Sequence, residues 1–189
     1  NKSQIEKMKK SFACAIGLIL LVMISCDKEE FNTNIEIPDF DFPKTAVFED
    51  SLSAYKIFQG TPSNLYPADG FELLELSAIL FTDYSHKQRL IKIPAGTQII
   101  KSSDETIDFP NGTILTKTFF YYNDERDTTL GKRVVETRLE IKENDKWNAA
   151  TYIWNQSQTD ATLELNGLDT PVSLTDENGI GRSTMYHVP

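Results

Sequence analysis

Residues 112–165 constrain this chain more than any other stretch. Three runs rich in β-branched and aromatic residues occupy 113–122, 132–142 and 146–155, and a short fourth covers 161–165. Polar turn-forming segments separate them, the pattern of an antiparallel meander. Within 132–142, Val135, Thr137, Leu139 and Ile141 are expected on one face, and Val134, Glu136, Arg138 and Glu140 on the other. That alternation suits a sheet packed on one side. The expected fold is mainly all-β: an antiparallel β-sandwich or open barrel with one short N-terminal helix, preceded by a signal helix and a flexible tether.

The chain opens with four lysines within residues 2–10, followed by a nearly continuous apolar run over 12–24. This is the form of a secretory signal, and the run falls short of the ~20 residues that span a bilayer. Met23-Ile24-Ser25-Cys26 resembles a bacterial lipobox, with methionine in place of the usual leucine. Cys26 is therefore the expected lipidation site and membrane anchor, each buried CH2 of an acyl chain contributing about 0.8 kcal/mol. Asp27-Lys28-Glu29-Glu30 resembles the charged signal that sends some lipoproteins of Bacteroidetes-type bacteria to the cell surface; a solvated spacer fits it equally. The expected location is the outer membrane or the cell surface. Cys14 and Cys26 are the only cysteines, so no disulfide is expected to hold the exported body together.

The expected layout is a signal peptide over 1–25, an acidic, proline-containing tether over 26–47, a β-rich domain over 48–176 and a C-terminal linker over 177–189. Asp50 and Ser51 are expected to cap a helix over 52–58. Residues 71–81 read as a buried strand or two, 88–93 as an alternating strand, 97–100 as a short strand and 170–174 as a closing strand before the Gly179-Ile180-Gly181 break.

The net charge is -9, and residues 1–25 carry four lysines against one glutamate, so the remainder stands near -12. No basic stripe with interleaved aromatics offsets that field, so nucleic acid is not an expected partner. The two histidines, His86 in an expected loop and His187, have no nucleophile-elbow pattern beside them, and no enzyme activity is expected. Asp124, Glu125 and Asp127 lie close enough to hold a cation, but they lack the order of a calcium loop, and Arg126 offsets them as a hairpin tip. No metal is expected. Trp147, Tyr152 and Trp154 fit either a stacking platform for sugar rings or, for the last two, a core pair.

Several segments, in this order, resemble a known family. They are Leu80-Phe81-Thr82-Asp83-Tyr84-Ser85-His86-Lys87-Gln88-Arg89, then Ile93-Pro94-Ala95-Gly96-Thr97, then Phe109-Pro110-Asn111-Gly112-Thr113 with Lys117-Thr118-Phe119. Asn123-Asp124-Glu125-Arg126 follows, leading through Gly131 to Glu136-Thr137-Arg138-Leu139. Tyr152-Ile153-Trp154-Asn155 and Gln158-Thr159-Asp160-Ala161 complete the set. Together they resemble a domain that precedes the haem-binding part of certain bacterial di-haem c-type cytochromes.

The resemblance implies an electron-transfer setting and a redox partner protein. The family's CxxCH motifs lie downstream of such a domain, and no cofactor is expected within this sequence; haem c would belong to a further C-terminal part. Asp124, Arg126, Glu136, Arg138, Trp154, Asn155 and Asp160 are expected to support fold or interface. The alternative function is a surface glycan-binding lipoprotein that uses the aromatic face.

Overall fold

The computed structural model describes residues 48–78 and 84–189. The leader, the tether, Cys26 and residues 79–83 lie outside the described residues. The described body is all-β and antiparallel, as the alternation predicts. Its main sheet has six strands in the order β1 (Glu72–Leu73), β2 (His86–Lys92), β5 (Ile114–Tyr122), β6 (Lys132–Glu143), β7 (Lys146–Trp154) and β8 (Ala161–Glu164). Two hairpins complete it: β3 (Ile100–Lys101) with β4 (Ile107–Asp108), and β9 (Leu168–Thr175) with β10 (Gly181–Val188).

The meander over 112–165 forms as consecutive neighbours β5 to β8. β6 turns into β7 through Asn144 and Asp145, with φ of 49° and 61°. Positive φ at both central residues matches the right-handed twist of the strands, and Asn and Asp tolerate it better than most side chains.

The inner face of the sheet carries the larger core. Leu90, Phe120, Val134, Leu139, Tyr152 and Trp154 pack against Leu52, Ile57, Leu65 and Phe71 from the N-terminal segment. The outer face is covered only in part. There Tyr121 and Val135 meet Val172, Leu174 and Val188 of the β9–β10 hairpin, with Ile153 and Tyr186 at the edge.

A β-bulge makes both cores possible. Phe119 pairs with Glu136 but Phe120 pairs with Val134, so Val135 is an extra residue on β6. The expected grouping of Val135 with Leu139 is thereby corrected: past the bulge Val134 joins Leu139 inside, and Val135 faces the hairpin. The bulge also ends the pairing of β6 with β7 at Glu136. Gln158 takes over from there. Its side-chain amide accepts from Val134 N–H at 2.6 Å and donates to Val134 C=O at 3.0 Å, imitating a strand partner.

Other expectations change as well. The helix over 52–58 is a single 3-10 turn, Leu52–Tyr55, ended by Lys56 at φ 51°. Ser51 makes no side-chain cap there. Of the run 71–81, residues 79–81 lie outside the described residues; 71–78 yield the two-residue edge strand β1, whose side chains are exposed, and of these Phe71 belongs to the core. The short strand expected over 97–100 is instead Ile100–Lys101. Residues 177–189 are not linker: Gly179-Ile180-Gly181 forms the turn into β10, which pairs with β9 over its whole length. Asp176 holds that turn by accepting from Asn178 N–H, Ile180 N–H and Arg182 Nε.

Candidate functional site

The residues singled out in the sequence fall into three groups. Asp124 and Arg126 form a forked ion pair, with Nε donating to Oδ1 at 2.9 Å and Nη2 to Oδ2 at 2.7 Å. Hydrogen bonds from the Arg126 side chain and backbone pull the Asp124 carboxyl down to about 2. The tip is also docked rather than free: Glu125 N–H donates to Thr175 C=O, and Thr175 N–H to Asn123 C=O. Gly179 lies under the guanidinium, where a Cβ would come within 2.6 Å of Arg126 Nη1. Both Asp124 oxygens are thus committed to Arg126, while backbone bonds dock the β5–β6 connection on β9.

Trp154, Asn155 and Asp160 serve the core and its edges. Trp154 is 3% exposed; its indole N–H donates to Thr137 Oγ1 at 2.9 Å, and that hydroxyl also meets Thr118 Oγ1. Tyr152 is fully buried, and its hydroxyl donates to Glu49 C=O at 2.8 Å. These two rings belong to the core and form no exposed platform, while Trp147 stands apart against Phe109. Asn155 shapes the turn into β8 by accepting from Thr159 N–H and Ser157 Oγ. Asp160 provides the cap that Ser51 does not, accepting from Ser53 N–H at 3.0 Å and Ser53 Oγ at 2.7 Å. Burial alone would raise its pKa, but the bonds from Ser53 and Ala161 outweigh it and hold the carboxyl low.

The histidines also meet carboxylates. His86 opens β2 rather than lying in a loop; its Nε2 lies 3.0 Å from Glu125 Oε2, and its ring stacks on Phe120. His187 Nδ1 lies 2.7 Å from Asp169 on the exposed hairpin.

Glu136 and Arg138 belong to a different environment. Glu136 is fully buried on the outer face; Oε1 accepts from Arg138 Nε at 3.0 Å and from the Tyr186 hydroxyl at 2.8 Å. Among the described residues Oε2 has no hydrogen-bond partner. Burial, then the bond to Glu136, pushes the Tyr186 phenol well above its ordinary value.

Around this pair the fold assembles a basic patch that was invisible along the chain. Lys87 pairs across strands with Phe119, and Arg89 with Lys117, which in turn pairs with Arg138. Lys87, Lys117 and Arg138 all approach the Phe119 ring, at 5.7, 4.8 and 4.9 Å from its centre. No basic stripe is legible along the chain, but on the sheet cations from three strands gather around one ring, Phe119. Burial first, and then Arg89 and Arg138, lowers the Lys87 pKa; Lys117 is lowered by burial, then by Arg89 and its other cationic neighbours. A shallow cavity of about 220 Å³ opens beside the patch, lined by Leu74, Arg89, Leu115, Thr116, Lys117, Arg138 and Glu140. Alternation within β5 places Lys117 and Phe119 on one face, but only cross-strand register brings Arg89 beside them.

No protein-family model, curated protein or solved structure matches the chain. Among the described residues no helix is long and apolar enough to cross a membrane.

Proposed function

We propose that this body is a docking module on an exported, lipid-anchored protein. It is the non-haem N-terminal part of a c-type-cytochrome-like electron-transfer protein, tied to the outer membrane through acylated Cys26. It performs no chemistry of its own and holds the carrier against an acidic redox partner. The observation that supports this reading is the cationic patch of Lys87, Arg89, Lys117 and Arg138 on a chain whose net charge is -9. A positive face on an acidic body orients an approaching acidic surface. Small, electrostatically steered contacts suit electron-transfer partners, which must dock and release quickly.

The test begins with the protein made from the complete gene. Haem staining and a pyridine haemochrome spectrum should report haem c, and mass spectrometry should find acyl chains on Cys26. Binding to an acidic redox protein should weaken steeply with salt. If the codons past Pro189 encode no CxxCH, the cytochrome reading is lost.

A further inference from the structure

The open part of the outer face holds a defined arrangement as well as diffuse charge. Arg89, Lys117 and Arg138 are direct cross-strand neighbours on three adjacent strands, so their backbones stand about 5 Å apart. Like charges placed directly opposite destabilise a sheet. Glu136 and Glu140 flank Arg138 and stand diagonal to Lys117, yet no acid stands directly opposite any of the three cations, in a chain with 28 acidic residues against 19 basic ones. Arg89 and Lys117 make no ion pair among the described residues, and Arg138 commits only its Nε and Nη2 to Glu136. Glu140 is the one acid lining the adjoining cavity, where Leu74 and Leu115 supply apolar wall. The volume of about 220 Å³ is the size of one side group. Burial and neighbouring cations depress the Lys117 ammonium, a strain that an incoming anion would relieve.

We propose that Arg89, Lys117 and Arg138 form a clasp for a single carboxylate presented by an acidic segment of a partner protein, its methylene stem lying along Leu74 and Leu115. The partner's identity as a redox protein rests on the docking reading; the clasp does not. Guanidinium groups offer paired N–H donors in the plane a carboxylate prefers, and Lys117 supplies a point charge between them. The Phe119 ring gathers the two heads, 4.8 Å from Lys117 Nζ and 4.9 Å from Arg138 Cζ, and the residues that carry them line the cavity.

The experiment titrates a hexaglutamate peptide into the full chain at low ionic strength, by calorimetry and by NMR of the Lys117 ammonium. Wild type should bind, and the Lys117 pKa should rise toward the ordinary lysine value on saturation. The double variant Arg89→Gln, Lys117→Gln should weaken binding about tenfold or more while its Tm stays unchanged or rises, because repulsion is removed with the site. Lys101→Gln with Lys146→Gln removes the same charge from exposed positions elsewhere and should leave binding nearly intact. Equal weakening in the two double variants overturns the clasp, as does wild type that binds no hexaglutamate. Loss of hexaglutamate with unchanged docking of the redox partner keeps the clasp and removes the partner assignment.

Discussion

Replacing Tyr186 with Phe isolates the side-chain bond from the C-terminal hairpin to Glu136 of the main sheet. The ring keeps its packing near Phe119 and Tyr121, and only the hydroxyl is lost. That hydroxyl donates to a fully buried carboxylate at 2.8 Å. Hydrogen bonds to charged groups contribute roughly 1.5–3 kcal/mol, and Tyr186 is only half-buried, so a loss of about 1.5–2 kcal/mol is expected. Glu136 Oε2 already lacks a partner, so the carboxylate would then rest on Arg138 alone. With an m-value near 2 kcal/mol/M, the urea midpoint should fall by roughly 1 M.

Fluorescence of the buried Trp154 reports the transition. A double-mutant cycle with Glu136→Gln should give a coupling of about 1 kcal/mol. Wild type should also lose stability above about pH 10, because the unfolded phenol ionises there and the folded one, whose pKa is raised, does not. Tyr186→Phe should lose less over that range. A midpoint shift under about 0.2 M, with no coupling in the cycle, would refute the reasoning.

Asp124→Asn should destabilise the protein at neutral pH. The folded carboxyl is depressed, so the wild-type advantage should be whole above about pH 4 and fade as pH falls toward 2, read from acid unfolding of both proteins. Asp160→Ala should cost about 1–2 kcal/mol in urea unfolding, since it strips both bonds from Ser53 at the start of the 3-10 turn. Trp154→Phe should cost about 2 kcal/mol through the lost indole bond and the smaller ring, while leaving retardation on every polysaccharide in affinity electrophoresis unchanged.

The meander was readable because its strands are long, β-rich and separated by strong turn formers, and the resulting sheet keeps them in sequence order. Face assignment failed at one point. Strict alternation puts Val135 with Leu139, and a bulge leaves no mark on the period of the residues around it. The described part of the run, 71–78, misled because apolar content alone does not reveal that Leu73 and Leu76 face solvent. The final strand was missed because 181–188 is mostly exposed and carries few of the large apolar residues that announce a strand. Asp124 with Arg126, and Glu136 with Arg138, were found as pairs because each lies two residues apart. Arg89, Lys117 and Arg138 come from separate runs and meet only through register, which no local pattern encodes.

The single extra valine on β6 has a reach beyond its own pairing. The hairpin roofs the sheet's outer surface at the bulge and as far as Glu136; beyond it Arg89, Lys117 and Arg138 stand half-buried. Backbone geometry thus sets the border between the two, and the charges occupy what is left uncovered. Removing Val135 would let β6 run without the extra residue, Phe120 still on Val134 and Phe119 still on Glu136, so the faces beyond it would stay and the hairpin would lose the valine it packs on. What the extra residue adds is a second outward side chain beside Glu136, and with it a seat for the hairpin.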